Sequence, residues 1–156
     1  MIKDKKLFTP GPLSTSKSTK LSMMHDFGSR DPEFLKINES VAKGLIKNIR
    51  NGKNLISIPI QGSGTFAVEA MIGCFIKKNQ QVLLAINGAY GRRIEKICKY
   101  HRVKFKKIEF NETEVTSASE IDSKLKSGNF SHLIVVHCET TTGILNPLEK
   151  ISKICE

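Results

Sequence analysis

Tryptophan is missing from this 156-residue chain, tyrosine occurs twice, and aromatic residues make up 6% of it. So few rings leave little with which to stack bases, and no nucleic-acid-binding signature accompanies them. The 25 lysines and arginines outnumber the 15 acidic residues, giving a formal charge of +10, but the excess is mostly lysine spread along the whole sequence. We expect a solvated basic surface and no nucleic acid partner. Its field would help draw in a small anionic substrate and would fade with salt.

Cysteine is also scarce. Cys74, Cys98, Cys138 and Cys155 show no C-x-x-C pairing and sit mostly in apolar or amphipathic runs, where a thiol behaves as a small hydrophobe. Neither disulfides nor a metal site are expected, since His25, His101, His132 and His137 form no close ligand pair either. No apolar run approaches the length needed to cross a bilayer, and Met1-Ile2-Lys3-Asp4-Lys5-Lys6 lacks the apolar core of a secretion signal. A cytoplasmic protein with no membrane partner is the expectation.

Present instead is a regular alternation. Apolar runs of strand length recur at Leu55–Ile60, Val82–Ile86, Val103–Phe110 and Leu133–Val136, separated by segments that read as helix, which predicts an α/β layered fold. Asp31-Pro32 offers a cap and a first-turn proline, and Phe34, Ile37, Val41, Leu45 and Ile49 follow at three- and four-residue steps. They describe an amphipathic helix of about five turns ending near Asn51-Gly52. Ile94, Ile97 and Cys98 give the segment after Gly91 an apolar stripe. Ser117-Ala118-Ser119-Glu120 is a capping box, Lys126-Ser127-Gly128-Asn129 a stop, and Asn146-Pro147-Leu148-Glu149 a cap followed by a first-turn proline.

The strongest chemical signal is Ile58-Pro59-Ile60-Gln61-Gly62-Ser63-Gly64-Thr65-Phe66-Ala67, where an apolar run enters two glycines and two hydroxyls and continues into an apolar helix. Free amides of a first helical turn converge on one spot, glycines let a ligand approach the main chain, and Ser63 and Thr65 add donors, so the expected guest is a phosphate group. Gly62 to Ala67 also satisfies the G-x-G-x-x-A dinucleotide fingerprint, so an oxidoreductase fragment is an alternative; that reading wants a carboxylate about 20 positions on. The tip of the next strand reads Ile86-Asn87-Gly88, with no acid, and no Gly-Lys-Ser/Thr follows for a Walker-type loop. Three further segments stand out. They are the proline-framed turn Leu7-Phe8-Thr9-Pro10-Gly11-Pro12-Leu13 with His25-Asp26-Phe27-Gly28-Ser29-Arg30-Asp31 after it, the bend Ile86-Asn87-Gly88-Ala89-Tyr90-Gly91-Arg92-Arg93, and the hydroxyl run Val136-His137-Cys138-Glu139-Thr140-Thr141-Thr142-Gly143-Ile144-Leu145-Asn146-Pro147.

In this order and at these separations, the four segments resemble the N-terminal half of the 2-aminoethylphosphonate–pyruvate transaminase family, enzymes of fold type I that depend on pyridoxal 5'-phosphate. The resemblance runs nearly end to end. It implies a three-layer α/β/α fold with a mainly parallel sheet, the chain being the N-terminal part of the cofactor-binding large domain: residues 1–31 an active-site segment, residues 32–156 alternating helices and strands. It further implies that Ser63, Gly64 and Thr65 bind the cofactor phosphate, that Tyr90 stacks on its ring, and that Thr140 reaches the ring's phenolic oxygen. Gly11 would lie near the amine donor, and Arg30 is a candidate partner for the donor's phosphonate. The implied reaction moves the amino group of 2-aminoethylphosphonate to pyruvate, giving phosphonoacetaldehyde and alanine, in a homodimer.

In the family the Schiff-base lysine, the aspartate on the pyridine nitrogen and the small C-terminal domain all come later than Glu156, so the resemblance assigns this chain no catalytic residue. The expectation is a polypeptide inactive on its own and poorly soluble alone. Leu55–Ile60 would lack the last strand of a seven-stranded sheet, and Leu133–Val136 would present an unpaired apolar edge. The alternative is a non-catalytic relic that binds pyridoxal phosphate or phosphate.

Overall fold

The computed structural model describes residues 4–49 and 54–155, and the chain divides into two units, Met1–Gln61 and Gly62–Glu156. The second unit is built on β1 (Gln81–Ile86), whose last five residues are buried. It follows α3 (Gly64–Phe75) and leads into α4 (Ala89–Tyr100). Parallel to it on one side runs β2 (Lys104–Glu109), with Val82 opposite Phe105 and Ala85 opposite Ile108. Across α5 (Ala118–Lys126), β3 (His132–Val135) pairs with the other side, Leu83 opposite Leu133. The resulting order is β2-β1-β3.

A central parallel strand is covered on both faces, so it reads as an unbroken apolar run. Val82, Leu84 and Ile86 pack with Ile72 of α3 and with Ile94 and Cys98 of α4. On the opposite face Leu83 and Ala85 pack with Ile121 of α5 and with Ile151 of α6 (Leu148–Ser152). Two helical layers therefore sandwich the sheet, the α/β/α layering expected. At the edge, β2 exposes Lys104, Lys106 and Lys107, charges that discourage pairing with another chain. Ser117 caps α5 by accepting from the Glu120 amide (3.3 Å), the serine half of the expected capping box.

The expected cap at Asn146 differs. α6 starts one residue later, with Pro147 at its N-cap, and Asn146 is buried. Its Oδ1 accepts from Asn87 Nδ2 (2.9 Å) and from the Thr116 amide (2.9 Å), while its Nδ2 donates to Asn87 Oδ1 (2.9 Å) and to the Val136 carbonyl (2.7 Å). The side chain ties together the carboxyl ends of β1 and β3, leaving none of its donors or acceptors for the helix.

In the first unit, α1 (Lys17–Ser22), which apolar spacing does not reveal, is capped by Ser16. α2 (Pro32–Lys47) begins at the expected proline and stops at Asn48, short of Asn51-Gly52, which lie outside the described residues. Asp31 sits at the N-cap, but its carboxylate turns back to accept from the Gly28 amide (2.7 Å) instead of capping α2. None of the described residues of this unit is buried, the apolar stripe of α2 included. Leu55–Ile60 does not form the expected strand: among the described residues no strand pairs with it, Pro59 has no N–H to offer, and Ile56, Ile58 and Ile60 are 85%, 73% and 65% exposed. An apolar pattern states a tendency to be buried, but a strand exists only through a neighbour's hydrogen bonds.

Two predictions follow the core. Removing the hub with Asn146→Ala leaves buried polar groups unmatched and is expected to cost about 2–4 kcal/mol in urea unfolding. Cys98 is fully buried, and desolvation, with Glu95 nearby, pushes its thiol from 9.0 up to about 11. Thiol reagents at neutral pH should therefore label exposed Cys74, Cys138 and Cys155 and spare Cys98 until the chain unfolds. Since the unfolded thiol ionises first, stability from this group is intact below about pH 9 and lost as pH rises through the folded value. Cys98→Ala should flatten that alkaline decline; urea midpoints falling in parallel for both proteins would contradict it.

Candidate functional site

Strand order 2-1-3 means that the connections leaving β1 and β3 depart from neighbouring strands in opposite directions, and such a switch point opens a crevice at the carboxyl ends. The loop after β1 delivers Asn87, Gly88 and Tyr90 there, and the loop after β3 delivers the hairpin β4 (Cys138–Glu139) and β5 (Ile144–Leu145). α3 leads into β1 and so runs back along the sheet. Its 12 residues span about 18 Å, close to the roughly 20 Å of β1, which returns its N-terminus to the same end.

At that N-terminus Ser63 is the cap, its Oγ accepting from the Phe66 amide (3.2 Å), while the Ala67 amide donates to the Ser63 carbonyl (3.1 Å). The amides of Gly64 and Thr65 are left without intrahelical partners. Gly62 has φ +155°, and a Cβ there would strike the Phe66 ring at 2.5 Å; a Cβ on Gly64 would meet nothing within 4 Å. Packing thus demands glycine at 62, whereas position 64 borders open space beside the free amides. Thr65 Oγ1 accepts from Arg93 Nη1 (3.2 Å). Both hydroxyl oxygens already accept a hydrogen bond, so each O–H proton is free to be donated to an anion.

The N-terminus of α4 is the counterpart. Gly88 at its N-cap provides no side-chain acceptor; Glu139 does, its Oε1 accepting from the Gly91 amide (2.9 Å) and its Oε2 from the Tyr90 amide (3.2 Å). Glu139 is fully buried. Its carbonyl accepts from the Thr142 amide (3.1 Å) and the Gly143 amide (2.8 Å), closing the turn that contains exposed Thr140. The half-buried Tyr90 ring lies 5.1 Å from the Arg93 guanidinium carbon.

The second unit therefore gathers Ser63, Gly64, Thr65, Tyr90 and Thr140, with Arg93 joining Thr65 to Tyr90 and Glu139 joining Tyr90 to the Thr140 turn. Gly11 and Arg30 belong to the first unit, where Thr9 Oγ1 closes the proline-framed turn by donating to the Pro12 carbonyl (2.7 Å). Asn87, where a dinucleotide site wants a carboxylate, is buried and bonded to Asn146 and the Glu114 carbonyl. Sequence reasoning included Arg93 and Glu139 in its segments but gave them no role; the available signal was a helix beginning at Gly88 with no capping side chain of its own, which requires an acceptor from elsewhere. Among the described residues no helix is long and apolar enough to cross a membrane, and no cluster of side chains could hold a metal ion.

A sequence model described as class-V aminotransferase matches residues 13–156. The 2-aminoethylphosphonate–pyruvate transaminase of Pseudomonas aeruginosa is 45% identical over 151 residues, covering 96% of this chain and 41% of that protein; the Pseudomonas fluorescens enzyme of the same name is 43% identical over the same shares. Among solved structures, alanine–glyoxylate aminotransferase from Nostoc superposes with a TM-score of 0.86 at 28% identity, over 99% of this chain and 41% of that one. Ureidoglycine–glyoxylate aminotransferase from Bacillus subtilis gives 0.84 at 26%, over 99% and 40%. The chain thus spans about two-fifths of the length of these relatives, and its fold is that of the fold-type I aminotransferases. On the family match over nearly its whole length, the chain belongs to the class-V aminotransferases.

Proposed function

We propose that this chain supplies the cofactor-phosphate side of an aminotransferase site that moves the amino group of 2-aminoethylphosphonate to pyruvate, giving phosphonoacetaldehyde and L-alanine. One observation carries the reading. Of two glycine-led helix N-termini at the same end of the sheet, α4 is filled by the protein's own Glu139, whereas α3 keeps two amides and two proton-bearing hydroxyls for an outside anion. The residues suit pyridoxal 5'-phosphate: Ser63, Gly64 and Thr65 hold its phosphate, Tyr90 covers its ring, and Thr140 meets its phenolic oxygen. When bound, that cofactor supplies the electron sink through which amino groups are exchanged.

The chain's own groups bind and orient. Arg93, bonded to Thr65, adds positive charge beside the phosphate donors; in the same reading Gly11 meets the amine donor and Arg30 its phosphonate, a pairing guanidinium geometry favours. The donor and pyruvate are the small-molecule partners. A homodimer in the cytoplasm accompanies this reading; no nucleic acid or membrane enters it.

Pyridoxamine 5'-phosphate carries an amine in place of the aldehyde, so surface lysines do not condense with it, and its binding to the purified chain is the direct test. Ser63→Ala and Thr65→Ala should each weaken binding by roughly tenfold, one charge-assisted hydrogen bond apiece. Equal affinity in all three proteins would overturn the phosphate assignment. With pyridoxal 5'-phosphate, 2-aminoethylphosphonate and pyruvate, the 156 residues alone are expected to form no alanine, because no lysine here matches the family's cofactor-carrying segment; alanine above the protein-free rate would refute this.

A further inference from the structure

We infer that Glu139 is a positioning residue whose side chain fixes the ring contact at Tyr90 while its main chain fixes the hydroxyl contact at Thr140, so that one buried residue sets both; the inference rests on the cofactor reading above.

The cap of α4 comes from a distant part of the sequence. Helices ordinarily satisfy their first amides with a local Ser, Thr, Asp or Asn, but α4 has Gly88 there and receives both oxygens of a carboxylate 48 and 49 residues further along the chain. Two acceptors on two successive amides fix the rotation of the first turn, and with it the direction in which the Tyr90 side chain leaves the backbone. The carboxylate also sits at the positive end of the helix dipole, where negative charge is favoured. A buried carboxyl group is costly unless its oxygens are bonded; both are.

The same residue holds the neighbouring loop. Thr140 is the next residue along, about 3.8 Å away between Cα atoms, and the turn carrying it closes on the Glu139 carbonyl. Residue 139 pairs with Ile144 in the β4–β5 ladder, which fixes its backbone in turn. Movement of the carboxyl group therefore shifts the ring contact, and movement of the Glu139 backbone shifts the hydroxyl contact. Gly88 is what makes room: a Cβ at that position would lie 2.6 Å from the Glu139 Cδ, so any larger residue there pushes the carboxyl group off the two amides. The open N-terminus of α3 has no bond to Glu139: the Gly64 and Thr65 amides and the Ser63 hydroxyl belong to α3 itself, and its tie to α4 is Arg93, whose guanidinium also lies by the Tyr90 ring.

That difference between direct and indirect contact gives the test. The whole chain and its Glu139→Ala, Glu139→Gln and Gly88→Ala variants are titrated with pyridoxamine 5'-phosphate and, separately, with inorganic phosphate, following affinity and the circular dichroism induced in the ring. Expected are a loss of roughly tenfold or more in pyridoxamine phosphate affinity and of the induced signal for Glu139→Ala and Gly88→Ala, an intermediate result for Glu139→Gln, and unchanged inorganic phosphate affinity throughout. Unaltered ring binding in the variants overturns the inference, and so does a parallel loss of both ligands, the mark of a cap that merely supports the fold. Should the variants not fold, the Glu139 carboxyl carbon resonance of the unaltered chain decides: it shifts with pyridoxamine phosphate and not with phosphate if Glu139 positions the site, and responding to neither or equally to both overturns the idea. An unaltered chain that binds neither ligand removes the cofactor reading itself, a failure distinct from the others.

Discussion

Helices that start at the carboxyl end of a parallel sheet bring with them main-chain amides that have no partner inside the helix, and each must meet an oxygen from somewhere. This constraint organises the second unit. At α4 the oxygen comes from a buried glutamate in a distant loop, which binds that loop to the helix. At α3 the Ser63 hydroxyl answers one amide, and two further amides lie beside the open space at Gly64. The same physics makes one terminus a structural joint and leaves the other with amides open to an outside acceptor.

The two helix N-termini are held at one end of the sheet by the core beneath them. β1 is buried on both faces, and its carboxyl end is tied to that of β3 by the paired amides of Asn87 and Asn146. Arg93 then spans from the α4 turn to Thr65 on α3. The α3 N-terminus, the Tyr90 ring and the Thr140 loop are in this way connected by contacts between elements far apart in sequence. The first unit contrasts with this: its helices carry apolar residues and its described residues include no buried one.

Much of this was legible from residue order. The run Val82–Ile86 announced a covered parallel strand, and Ser117 with Glu120 and Ser63 with Gly64 announced helix starts, because each depends on local backbone geometry or on neighbours a few residues away. Misreadings arose where a residue had two possible partners. Asp31 and Asn146 are both good helix caps by type, yet one bonds back to Gly28 and the other enters a buried network, choices made by atoms that sequence spacing does not reveal. Leu55–Ile60 has every property of a strand except the neighbouring strand that would make it one.

By itself, the sequence determined which segments are apolar enough to form the sheet, where the backbone has the freedom to bend, and which hydroxyls stand at a helix start, since these follow from side-chain chemistry acting over a turn or two. The tertiary structure decided that Glu139 lies over Gly88, that Arg93 reaches Thr65, and that Asn146 faces Asn87. Those pairings join residues 28 to 59 positions apart, and only the packing of both faces of β1 brings them within hydrogen-bonding distance.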